Sequence, residues 1–263
     1  MTNIHPTAVI AQGAVLGPGV RVGPFCVVGP HVILGAGCVL HSHVVIEGQT
    51  DLGEHCEVFP FAAVGTPPQD LKYDGEDSRL TIGSRTRIRE HATLHPGTAG
   101  DRMETRVGTG CLLMVGSHVA HDCVLGNNVI LANNATLGGH VTVGDGTIIG
   151  GLAAVHQFVR IGAGAIIGGM SGVEADVLPH ARVKGERARL AGLNLIGLER
   201  QGADRAAVRS LQRLYDLIFA GEGPLEQRLT EVERRFAGDP MAAEVIAFAR
   251  GRTRFPLCGP GRA

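Results

Sequence analysis

The sequence predicts a mainly β protein: a parallel β-helix of six-residue repeats with a small C-terminal α-helical domain. Three observations predict it. Every sixth residue is aliphatic over long stretches. The composition has 4% aromatics and no Trp, so stacked aliphatics must fill the core. A late segment changes to helical periodicity. The 263 residues are 44% hydrophobic and 19% charged with a net charge of −1, which excludes a disordered chain. The 39 glycines have no period of three, which excludes collagen, and every apolar stretch is broken before membrane-span length. The opening MTNIHPTAV lacks a basic segment before a long apolar one, so the expected compartment is the cytoplasm. Six scattered Cys without a CxxC pair fit that compartment.

The repeat starts at Ile4 and steps by six through Ile10, Leu16, Val22 and onward to Val64. It resumes at Ile82, Ile88 and Leu94, and again from Val107 to Val173, giving 26 units with an aliphatic residue at each key position. Gly often follows the key residue, and a small or β-branched residue often stands two before it. Cys26, Cys38, Cys56, Cys111 and Cys123 occupy that small slot and read as core residues; Cys258 lies in the tail. Six residues are too few for a helical unit but suit a short strand and a tight corner.

Two segments interrupt the count, residues 66–81 (TPPQDLKYDGEDSRLT) and 96–106 (PGTAGDRMETR). Insertions leave a solenoid at its corners as loops. A functional role is expected of the first, which carries Asp70, Lys72 and Tyr73 among turn formers. From about Arg187 the pattern becomes helical, dividing the chain into a β-helix over 1–186 and a helical domain over 187–263. In that second part Val208, Leu211, Leu214, Tyr215 and Ile218 share one helix face that stops at Gly221, and two more helices begin at Pro224 and Pro240. Residues 1–179 carry a net charge of −6 and residues 180–263 a net charge of +5. The basic end reads as a solvated helical surface or as an attractor for an acidic partner.

Twelve His is a high number. His5, His31, His43, His55 and His180 read as corner residues. The [LIV]-G-x-x-x-x hexad resembles that of the hexapeptide-repeat acyltransferases, whose coil of three hexads spans 18 residues; this implies that His140 falls one coil from Asp122 and beside His121, and His156 two coils along nearly the same column. A His beside a carboxylate can act as a general base near neutral pH.

The resemblance to the hexapeptide-repeat acyltransferases also implies a left-handed β-helix, against the usual right-handed crossover rule. The strings QDLKYDGE, IREHATLHPGT, SHVAHDCVLGNNVILANNATLGGHVTVGD, AVHQF and GLNLIGLERQG narrow the resemblance to the acyl-carrier-protein-dependent UDP-N-acetylglucosamine O-acyltransferases over nearly the whole chain. That family moves a 3-hydroxyacyl group from acyl carrier protein to the sugar 3-hydroxyl, the first step of lipid A synthesis. The resemblance implies His121 as general base, the Gly139 N–H as oxyanion donor and Asp122 as its orienting or structural neighbour. It places Asp70, Lys72, His118, His140, His156, Gln157, Asn194 and Arg200 on the sugar nucleotide and Gly169 where acyl-chain length is set. Gln201 and Ile196 depart from the family pattern near the nucleotide contacts. Also implied are a homotrimer with sites between subunits, no cofactor or metal, no nucleic-acid partner and no membrane span.

Three alternatives stand beside this. A different acyltransferase of the same fold is one. A zinc enzyme using His118, His121 and His140 is the second. A non-catalytic scaffold is the third.

Overall fold

The protein is described from a computed structural model, in which residues 2–251 and 254–261 are placed. Twenty-six strands of two to four residues run from Asn3–Ile4 to Gly172–Val173, and each ends on one of the key aliphatic positions. They stack into three parallel sheets, one on each side of a left-handed triangular prism. Ile4 pairs with Val22, Val22 with Leu40 and Leu40 with Val58, a step of 18. The step widens only where an insertion intervenes, Val58 pairing with Ile88 and Ile88 with Leu113. At about 4.8 Å per coil the prism is roughly 40 Å long.

The key residues fill the interior; Leu34, Ile46, Leu94, Leu131 and Ile161 are fully buried. The small slot has a second duty. Several of its thiols and hydroxyls cap the carbonyls of the next corner: Cys38 to Gly53 O (3.1 Å), Cys123 to Gly138 O (3.2 Å) and Thr147 to Gly162 O (2.9 Å). At these corners the donor satisfies a carbonyl that would be destabilising by about 1–3 kcal/mol if buried without a partner.

Many corners use the left-handed backbone conformation in residues other than Gly, among them His43 (φ 58°), Asp122 (58°), Asn134 (58°), His140 (63°) and Phe158 (66°). That conformation is unfavourable by about 1–2 kcal/mol for such residues. It holds where a neighbouring coil supports the corner. Phe25, His43, Phe61 and His91 form one such ladder, with ring centroids 5.0–5.2 Å apart.

The tail departs from expectation at its start. The helical pattern foreseen from about Arg187 begins later, because Ala181–Lys184 and Arg189–Leu193 form an antiparallel pair on the last coil. Among the described residues four helices follow: α1 (Leu195–Arg200), α2 (Arg205–Ala220), α3 (Leu225–Arg235) and α4 (Pro240–Arg250). Helix α2 buries Leu211, Leu214, Tyr215 and Ile218, the face read from the sequence, and its Asp204 cap accepts the Ala207 N–H. Tyr215 donates to the Pro179 carbonyl, and His180 Nε2 lies 3.1 Å from Glu244, so the helices are pinned to the last coil. His180, read as a corner residue, is one (φ 63°) and has this further role. Beyond α4 the chain returns to the prism, where Leu257 bridges Asp176 and the buried Cys258 thiol donates to Ala188 O.

Candidate active site

The site forms where both insertions fold over one flank of the prism. His121 and Asp122 follow the strand His118–Val119 at a corner. Asp122 is fully buried, and His121 Nδ1 donates to its Oδ2 at 2.9 Å. A carboxylate only accepts, so this bond puts the proton on Nδ1 and leaves a lone pair on Nε2. The second insertion completes the shell of Asp122: the Thr98 N–H (3.1 Å), the Thr98 hydroxyl (2.6 Å) and the Arg102 N–H (3.2 Å) all donate to it. Burial pushes the Asp122 carboxyl up, but the hydrogen bonds from His121 and Thr98 more than offset it and hold it below the usual carboxylate value.

The first insertion brings Asp70 to 3.9 Å from His121 Nε2, the nitrogen with the lone pair. Lys72 N–H donates to the other Asp70 oxygen at 3.0 Å, an Asx turn that fixes the loop. Glu76 accepts the Ala99 N–H at 2.9 Å, so the two insertions are tied to each other.

His140 stands one coil on, as the 18-residue step required; its N–H donates to His121 O at 2.9 Å and the two rings meet edge to face at 4.9 Å. Its Nδ1 donates to Asp101 at 2.8 Å, and its ring lies flat on Phe158 at 4.2 Å. His118 Nδ1 pairs with the Thr93 hydroxyl at 2.7 Å, and the His118 ring packs edge-on against His95. Burial pushes the His118 imidazole down to about 4, and His95 is lowered for the same first reason. His95 donates from Nδ1 to Thr66 O (2.9 Å), and its buried Nε2 finds no partner among the described residues.

Gly139 explains itself. A Cβ there would stand 2.5 Å from His121 Cε1 and 2.6 Å from Nε2, inside the imidazole. The ring therefore lies directly over the Gly139 backbone. Gly169 is an exposed corner whose Cβ would reach Gly151 O at 3.2 Å.

The remaining sequence-derived residues are not gathered around His121. His156 and Gln157 are exposed, and His156 meets Phe255 edge-on at 5.5 Å. Asn194 is buried; its Oδ1 caps α1 at Gly197 N–H (3.0 Å) and its Nδ2 donates to Gly164 O (2.8 Å). Arg200 ends α1 on the surface.

The nitrogen and oxygen atoms of His121, Asp122 and His140 that could ligate a metal lie within 4.8 Å of one another. This trio differs from the one foreseen for zinc, since His118 turns to Thr93 instead. The hydrogen bonds above already engage all three.

Sequence reading missed Thr98, Asp101, His95 and Phe158. Phe158 was within reach, since it lies 18 residues after His140. Thr98 and Asp101 sit in an insertion without a period, so no column arithmetic could place them.

A hexad prism with a His–carboxylate pair on its flank, under loops that leave the coils, defines a hexapeptide-repeat acyltransferase. Residues 13–48 and 104–139 match the bacterial transferase hexapeptide family model, and residues 176–258 match the second domain of the UDP-N-acetylglucosamine O-acyltransferases. An acyl-[acyl-carrier-protein]–UDP-N-acetylglucosamine O-acyltransferase of Caulobacter vibrioides is 51% identical, covering 99% of both chains. One from Verminephrobacter eiseniae is 47% identical over 95% of both. The crystal structure of the Moraxella catarrhalis UDP-N-acetylglucosamine O-acyltransferase superposes with a TM-score of 0.94 at 39% identity, over 97% of this chain and 99% of that one. The chain belongs to the acyl-[acyl-carrier-protein]–UDP-N-acetylglucosamine O-acyltransferase family.

Proposed function

We propose that this acyltransferase moves a 3-hydroxyacyl group from the thioester of acyl carrier protein to the 3-hydroxyl of UDP-N-acetylglucosamine, opening lipid A synthesis. The observation that carries the chemistry is the His121–Asp122 pair: a buried carboxylate fixes Nδ1–H and leaves Nε2 basic. In the reaction Nε2 removes the sugar hydroxyl proton as the oxygen attacks the thioester carbonyl. The oxyanion accepts the Gly139 N–H, which the ring of His121 sets beside the reacting atoms. Collapse expels the carrier thiolate, which recovers the proton from His121.

Asp70, 3.9 Å from Nε2, marks where the sugar sits, and Lys72 from the same turn meets the phosphates. His118, neutral at physiological pH, offers a hydrogen bond without a competing charge. His140, His156 and Gln157 extend the sugar-nucleotide surface. Asn194 shapes that surface by holding α1, and Arg200 carries the charge. The wide separation of these groups supports a homotrimer in which a neighbour's wall closes each site. Gly169, on the exposed corner, sets the length of the acyl groove. Among the described residues no helix is long and apolar enough to cross a membrane. The same proposal assigns the reaction to the cytoplasm.

The test is acyl transfer with UDP-N-acetylglucosamine and a series of 3-hydroxyacyl carrier proteins, run beside His121→Ala. Acylated sugar nucleotide from the wild type, falling about 10²-fold or more in the variant, supports the reading. A variant with wild-type rates removes His121 as the base. A wild type without product at any chain length removes the substrate assignment.

A further inference from the structure

His140 is held in a manner that stacking alone does not explain. Its ring lies 6° from parallel to Phe158, and Phe158 in turn carries the Arg254 guanidinium at 3.6 Å. A flat stack fixes the plane of an imidazole but not its rotation within that plane, because apolar contact is nearly the same for a ring flipped by 180°. The flip would exchange nitrogen for carbon at the edge facing its neighbours. Something directional is needed to choose one orientation, and Asp101 supplies it.

Asp101 lies on a turn of the second insertion whose Asp101 N–H and Met103 N–H both donate to Thr98 O (3.3 Å each). Thr98 is itself anchored on Asp122 through its N–H and hydroxyl. One turn therefore serves two histidines. Its first residue completes the shell of the carboxylate that holds His121, and its fourth places a carboxylate 2.8 Å from His140 Nδ1. Asp122 is farther from that nitrogen, at 3.9 Å, so Asp101 is the nearer acceptor. The same turn borders a recess of about 300 Å³ that His140 and Phe158 share with Arg102, Arg160 and Arg254. Arg160 is already paired with Asp176 at 2.8 Å.

We propose that Asp101 is a second positioning carboxylate for acyl transfer, accepting the Nδ1–H of His140 and so presenting the Nε2 lone pair of that ring to the substrate. This rests on the acyl-transfer reading above. Asp101 touches no reacting atom. It acts through His140 as Asp122 acts through His121, and it comes from the insertion that the repeat does not encode.

The test is a double-mutant cycle in the full-length enzyme, with kcat and KM measured for UDP-N-acetylglucosamine at saturating 3-hydroxyacyl carrier protein. Asp101→Ala is expected to lower kcat/KM about tenfold, since a misoriented group near the chemistry has effects of that order or larger. Asp101→Asn keeps an oxygen acceptor and is expected to restore the value to within about threefold. In a His140→Ala background, Asp101→Ala is expected to change nothing further, because the residue it orients is gone. Side-chain 15N spectra of histidine-labelled protein, with His140 assigned by its loss in His140→Ala, are expected to show the Nδ1–H form in the wild type and a mixture in Asp101→Ala.

A full Asp101→Ala loss in the His140→Ala background overturns the proposal, as does an unchanged His140 spectrum in Asp101→Ala. A wild type that does not turn over this substrate overturns the reaction assigned above, while the spectra still decide the role of Asp101.

Discussion

His43 and His140 occupy equivalent kinds of place in two regions of one prism. Both are corner residues in the left-handed conformation, at φ 58° and 63°. Both lie on a Phe from the following coil: His43 on Phe61 at 5.0 Å, His140 on Phe158 at 4.2 Å. His43 belongs to the uninterrupted early coils and adds only another ring, Phe25. His140 lies under an insertion and gains a carboxylate at 2.8 Å and a second imidazole at its edge. The repeat supplies the corner and the stack in both regions. What surrounds a supported corner with polar partners is chain that leaves the repeat: Asp70 from the first insertion, Thr98 and Asp101 from the second.

The contrast can be tested from its largest expected effect downward. His121→Ala, described above, removes the proposed base and is expected to have the largest effect. Asp122→Ala is next: it leaves the Thr98 and Arg102 N–H groups without their acceptor and releases the His121 ring. A fall in kcat of about 10²-fold is expected, together with a stability loss of about 2–4 kcal/mol. Activity and urea unfolding would read both. An effect on activity with none on stability would mean that the insertion does not depend on this carboxylate.

Gly139→Ala is expected to separate the two readouts, lowering activity with little loss of stability. Its Cβ would occupy the space of the His121 imidazole at 2.5 Å and push the ring aside, while the buried Gly139 backbone lies outside the left-handed region and accepts an Ala. Activity should fall about tenfold or more with a small change in melting temperature. A variant as active as the wild type would show that the ring does not need its place over that backbone.

A smaller effect concerns pH. His118 titrates at about 4 in the folded chain, below the ordinary 6.5, because burial disfavours its charged form. Between those values the unfolded chain binds more protons than the folded one, so stability rises with pH. Its contribution is full above about 6.5 and is lost as pH falls toward about 4. Thermal melts of the wild type and His118→Gln across that window should diverge, with the variant less dependent on pH. Parallel curves would show that His118 is not the group responsible.

Least affected should be His43→Ala. Losing one partner of an aromatic ladder is expected to lower stability by about 1 kcal/mol and to leave kcat within about twofold of wild type. A large loss of activity there would break the contrast between the two regions, because the early coils would then share in catalysis.

The sequence by itself determined the prism. An aliphatic residue at every sixth place calls for a corner between key positions, and the 18-residue coil implied by the family resemblance is the step that the strands take. Because that period is regular, His121, Asp122 and His140 could be set together before any coordinates, as could the buried cysteines and the apolar face of α2. The tertiary structure decided what has no period. It placed Thr98 and Asp101, which lie in a loop whose path depends on the coils beneath it, and it made the strand Arg189–Leu193 where composition suggested helix, because the last coil offered an open edge to pair with. It also gave Gly139 a reason that spacing cannot express, an imidazole lying where a side chain would be. Periodic order is local and repeats along the chain, so it can be read there. The directions of hydrogen bonds between segments far apart in sequence depend on how those segments meet, and they are fixed only when the chain is folded.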